Sequence, residues 1–102
     1  MKKFELTENY KTCSGRKLFQ IRALVSIKDV VEKGELGGYI EKEANLSQFG
    51  NAWVSGNAQV FGNARVTGNS RVTENARVSG NAFVAGNSCV SGKEHVHGDA
   101  SL

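Results

Sequence analysis

The sequence predicts an all-β chain: a narrow three-sided prism of short parallel strands, closed at its beginning by a β-hairpin. Three observations lead there. From Gly50 to Leu102 one six-residue phrase, Gly-Asn-Ala-x-Val-x, recurs nine times. Valine falls at 54, 60, 66, 72, 78, 84, 90 and 96, Leu102 closes the series, and Ala or Ser stands two residues before each except at Glu94. Ahead of the repeat, apolar and polar residues alternate with the period of a strand. A fixed period means stacked units that cannot bury their apolar faces singly.

The first element is the hairpin. Phe4 and Leu6 alternate with polar residues, as do Phe19, Ile21, Ala23, Val25 and Ile27. They predict strands over 3–8 and 17–27, joined through Asn9 to Gly15. Leu18 and Leu24 lie on the opposite side of the second strand, so part of it is expected to be covered on both faces. Asp29 to Glu35 offers one helical turn or a bend at Lys33-Gly34, and Gly37-Gly38 releases the chain into the first coil at Tyr39-Ile40. The division is a cap over 1–38 and a repeat region over 39–102.

The repeat can be followed upstream of Gly50. Ile40 has Ala44 four residues later, and Leu46 follows at six, which puts Ile40 and Leu46 in the valine register. Leu46 to Val54 is eight residues, so a surplus pair, Gln48-Phe49, should bulge from one corner. Within each hexad, strand alternation puts Ala52 and Val54 on one face, Trp53 and Ser55 on the other. Two inward residues per hexad give a strand of about four residues. The remaining Gly-Asn pair bends the chain, because both residues tolerate positive φ. Short strand and sharp bend in alternation wind the chain around a narrow core, each strand pairing in parallel with the one a turn later. Eleven faces from Ile40 to Leu102 make slightly under four turns.

These residues carry a resemblance. The phrase Val-x-Gly-Asn-[Ala/Ser]-x resembles the hexapeptide repeat of left-handed parallel β-helices, which implies three hexads per 18-residue turn and that unusual hand. The runs Leu18 to Leu24, Gly34 to Glu41 and Asn45 to Ser47 resemble the opening of small phage- and prophage-encoded hexapeptide-repeat proteins. That likeness implies a phage-type origin and the cytoplasm of a bacterial host as the place of action.

The cap has a physical task. A coil of this kind ends in unpaired backbone and an apolar cross-section, and the hairpin with Phe4, Phe19 and Ile21 is the expected lid. At the other end Val90, Val96 and Leu102 form the last inward triangle. A second copy stacked there through a twofold axis would cover it, so a homodimer through Val90, Val96 and Leu102 is expected.

Sorting outward residues by every third hexad gives Trp53, Arg71 and Cys89 on one face, Gln59, Arg77 and His95 on the second, Arg65, Phe83 and Ser101 on the third. Arg65, Arg71 and Arg77, adjacent in the repeat, therefore point to three sides, which weighs against a nucleic-acid groove. Trp53, Phe61 and Phe83 project outward, and with the arginines they are candidates for contact with a protein. His95 and His97 share an outward strand face about 7 Å apart, two ligands short of a zinc site; no metal and no cofactor is expected. Residues 1–28 carry a net charge of +5, 29–49 of −3 and 50–102 of +1. No apolar run approaches the ~18 residues that span a bilayer. Cys13 and Cys89 are expected as reduced thiols.

The function expected from this is a non-enzymatic binding protein that uses the prism as a rigid scaffold. A phage-encoded inhibitor of a bacterial defence system, such as a CRISPR nuclease, is its concrete form by resemblance. The alternatives are an acyltransferase with His95 or His97 as general base, since many hexapeptide-repeat proteins are acyltransferases, and a self-assembling structural protein.

Overall fold

Eight two-residue strands follow one another at six-residue intervals: β4 (Trp53–Val54), β5 (Gln59–Val60), β6 (Arg65–Val66), β7 (Arg71–Val72), β8 (Arg77–Val78), β9 (Phe83–Val84), β10 (Cys89–Val90) and β11 (His95–Val96). The computed structural model describes residues 2–13 and 15–101; Leu102, the closing residue of the repeat, lies outside them. Every third strand pairs in parallel. Val54, Val72 and Val90 stand in register on one wall. Ile40, Val60, Val78 and Val96 form the second wall, and Leu46, Val66 and Val84 the third. The chain is thus an all-β parallel β-helix of under four turns, with its aliphatic side chains stacked along the axis.

The strands are half the expected length because each turn consumes more of the hexad than Gly-Asn alone. Ala58 N donates to Ser55 O and Ala76 N to Thr73 O, closing four-residue turns that include the small residue. Pairing between turns nevertheless continues through the corners: Ser55, Asn57, Gln59 and Phe61 donate to Val72, Glu74, Ala76 and Val78. Corner glycines such as Gly56 and Gly80 take φ of 63° and 67°, and Glu74 is held at φ 58° in the same place. The inward layer is filled: Ala52, Val54, Ala58, Val60, Ala76 and Val78 are fully buried. Ser70 enters this layer because its Oγ donates to Thr67 O.

The hairpin is longer than the sequence suggests. β1 (Phe4–Cys13) and β2 (Arg16–Ala23) are antiparallel with Cys13 opposite Arg16. The first strand continues past Glu8 because a register shift between Leu6 and Tyr10 re-aims it, and Tyr10 packs on Phe19 at 5.8 Å. The second strand stops at Ala23, where Leu24 N turns to Lys3 O and Ile27 bridges Val31. Asp29 at φ 63° makes the following segment a turn and not a helix. Of the three expected lid residues, Phe4 and Ile21 are fully buried over the prism, whereas Phe19 is half-buried against Tyr10.

β3 (Leu36–Ile40) joins cap to coil. It is antiparallel to β2 on one edge and parallel to β5 on the other, so one sheet runs β1-β2-β3-β5-β8-β11. Its glycines are there for space: a Cβ on Gly37 would lie 2.6 Å from Val54 O and 2.8 Å from Ile21 Cγ1.

Two side chains tie the first turn. After β3 the chain makes a 3-10 turn, Glu43–Asn45, that rotates Ala44 to the surface and puts Asn45 inside, contrary to the expected register at that position. The amide fits because all its hydrogen-bonding capacity is used: Oδ1 accepts from Glu41 N and Lys42 N, and Nδ2 donates to Gly62 O and Ala64 O. The surplus pair does bulge. Gln48 Oε1 accepts from Lys3 N at 2.7 Å, and Lys3 Nζ donates to Ala52 O at 2.7 Å. Burial lowers the Lys3 pKa from 10.5 to about 8.

Candidate functional site

The side chains available for function are those on the outside of the three walls and at the corners between them. On the wall of β4, β7 and β10, Trp53 is not the exposed aromatic that alternation predicts. It is 2 % exposed, because the cap descends over this wall and Phe4 meets its ring edge-on at 6.5 Å. An outward position on the prism is an inward position under the cap, so Trp53 belongs to the core. Arg71 and Cys89 remain exposed on the turns below.

The wall of Leu46, β6 and β9 keeps its surface residues. Arg65 and Phe83 are direct parallel partners, and Phe83 is 39 % exposed. Phe61, in the corner before β6, is half-buried. At the far corner of the same wall the bulge presents Phe49, 83 % exposed. Sequence reasoning located this bulge but did not single out its phenylalanine; the two-residue surplus was the signal available. The bulge is anchored from behind by Gln48, and Phe49 N donates to Ser47 Oγ.

The wall of β3, β5, β8 and β11 carries a polar surface. Tyr39, Gln59, Arg77 and His95 stack in register down it. Beside them runs the corner stack Asn57, Asn75 and Lys93, and the hairpin brings Lys11 over the top, its Nζ 4.0 Å from the centroid of the Tyr39 ring. Between these lies an open recess of about 690 Å³ with no acidic side chain in its lining among the described residues. The 18-residue spacing of Asn57, Asn75 and Lys93 was legible in the sequence. The arrival of Lys11 was not, since it depends on hairpin length.

The expected histidine pair is present: the rings of His95 and His97 are 4.8 Å apart, and His95 Nε2 lies 3.1 Å from Ser79 Oγ. No group of three or more His, Cys, Asp or Glu side chains able to hold a metal occurs among the described residues. Arg65, Arg71 and Arg77 are exposed on three different walls, as the winding requires. Of the proposed dimer residues, Val90 is fully buried and Val96 9 % exposed within the single chain, so neither offers a bare apolar surface; Leu102 is outside the described residues. What that end does offer is the outer edges of β10 and β11, which carry no neighbouring strand among the described residues.

Architecture and surface together define a β-solenoid repeat protein whose interior is given over to packing. Residues 58–74 and 76–92, two consecutive turns, are similar to the family described as YdcK Beta solenoid repeat. No curated protein matches the chain. Among the described residues, no helix is long and apolar enough to cross a membrane.

Proposed function

We propose that this chain is a non-enzymatic binding protein that holds a protein partner against the wall of Leu46, β6 and β9. The observation that carries the reading is Phe49, a large apolar side chain left 83 % exposed on a bulge that is itself fixed to the cap by Gln48. An aromatic carried on an already anchored backbone needs less ordering on binding, a condition that favours such residues at an interface. Phe83 and Arg65 on the same wall supply a second apolar contact and a cation, the residue types enriched at interface centres. The phage-like opening segments support a bacterial defence protein, such as a CRISPR nuclease, as the partner and the host cytoplasm as the site of action.

The test is a quantitative capture from host lysate with wild type, Phe49→Ala, Phe83→Ala and, as a control on another wall, Arg71→Ala. One discrete partner is expected, with affinity reduced about tenfold or more by each phenylalanine substitution and little changed by the control. A partner retained equally by all four proteins would overturn the assignment of this wall. Acyl transfer dependent on His95 or His97 would replace the reading with an enzymatic one.

A further inference from the structure

A different wall carries a second site. At two of the three corners the stacked side chains bond to one another: Lys42 to Asn63, Asn63 to Asn81 and Asn81 to Asp99 at one, Asn69 to Asn87 at another. At the third corner Asn57, Asn75 and Lys93 have the same spacing, yet none of them makes a side-chain hydrogen bond among the described residues. The neighbouring Gln59 is 9 % exposed, and its Oε1 is buried with no hydrogen-bond partner. A buried, unsatisfied acceptor is a cost that native proteins rarely carry without a bound group to relieve it. All of these unspent amides line the recess that also holds Lys11, Arg77, Lys93 and His95.

We infer that this recess binds a compact phosphate ester that also bears hydroxyl groups, of the sugar-phosphate class. The cationic side chains and the absence of a lining carboxylate among the described residues select an anion, and Arg77 presents the planar fork suited to phosphate oxygens. Gln59 Oε1 is buried without a donor, and turning this amide toward the recess would let a sugar hydroxyl supply one, which a phosphate dianion cannot. Asn57 and Asn75 can both donate and accept, so they suit hydroxyls and phosphate alike. The volume, about 690 Å³, falls among small-molecule sites. A nucleic-acid strand would need the charge to continue along its path, whereas Arg65 and Arg71 lie on the other two walls.

The experiment is a titration of the full chain at low salt, followed by NMR of the side-chain amides, with ribose 5-phosphate, inorganic phosphate, ribose and a single-stranded oligothymidylate as probes. Ribose 5-phosphate should shift the Gln59, Asn57 and Asn75 amide signals saturably and bind about tenfold more tightly than phosphate or ribose. Arg77→Ala should weaken binding about tenfold, Gln59→Leu should abolish the preference for ribose 5-phosphate over phosphate, and Arg71→Ala, on the wall of β4, β7 and β10, should leave both unchanged. The inference fails if ribose 5-phosphate does not saturate by about 10 mM, or if Arg71→Ala weakens it as much as Arg77→Ala. It fails equally if the oligothymidylate binds more tightly than ribose 5-phosphate. These outcomes are independent of the partner-capture result, because Gln59 and Arg77 lie on a different wall from Phe49 and Phe83, and the control Arg71 lies on the third.

Discussion

Lys3 shows how a single side chain can fasten two parts of a fold at an electrostatic cost. Its ammonium is 4 % exposed as a residue and is met by the carbonyl oxygens of Ala52 and Gly50, 49 and 47 residues away. Carbonyls solvate a cation only in part, and desolvation lowers its pKa to about 8 from 10.5. The unfolded chain therefore holds this proton more tightly than the folded one. The penalty is fully present below pH 8 and is relieved as pH rises from about 8 to 10.5, so this group makes the protein more stable across that window. In urea denaturation, wild type should gain about 1–3 kcal/mol relative to Lys3→Met between pH 7 and pH 10. A constant difference between the two proteins across that range would show that Lys3 stays fully solvated. The identity of Lys3 as a buried fastener was not legible in a sequence where it reads as one of seven basic residues near the start.

At the scale of an element, β3 is where two kinds of β structure meet, and its composition follows from that position. The strand must pair antiparallel with Phe19 and Gln20 on one edge and parallel with Gln59 and Val60 on the other. Trp53 and Val54 pack across it so closely that Gly37 has no room for a side chain, with Val54 O 2.6 Å and Trp53 Cζ2 2.9 Å from where a Cβ would stand. Gly37→Ala should cost about 2 kcal/mol or more, since the nearest atom is backbone and cannot rotate away. A midpoint of urea denaturation unchanged from wild type would contradict the close packing at this junction. The hexads themselves were fully legible, because a valine every six residues leaves one register. Ala44 and Trp53 were misplaced for one reason: periodicity assigns inside and outside relative to the prism alone, and says nothing of a 3-10 turn or of a cap folded over one wall.

For the whole molecule, the repeat makes two ends with different properties. The cap covers the first turn with Phe4 and Ile21. At the other end, among the described residues, β10 and β11 are paired on one side only, with the inward valines Val90 and Val96 already covered. We propose that a second copy pairs there through backbone edges, in place of the apolar triangle that the repeat suggests. Sedimentation should then show a dimer, and Lys substituted at Cys89 and His95 together should shift it to monomer by crowding the edges with charge. A wild type of monomer mass at every concentration would exclude the pairing.

The order of the long sheet, from the hairpin through β3, β5, β8 and β11, also limits how such a chain can change in length. Gain or loss of a complete circuit moves nothing sideways: each residue after the change drops one level on the side it already occupied. Gain or loss of a single hexad swings everything beyond it a third of the way around, carrying Arg77 and His95 out from under Lys11. Ancestral duplications that preserved the surface would therefore have come in threes, and the rod's height is free to drift while its compass bearings are not.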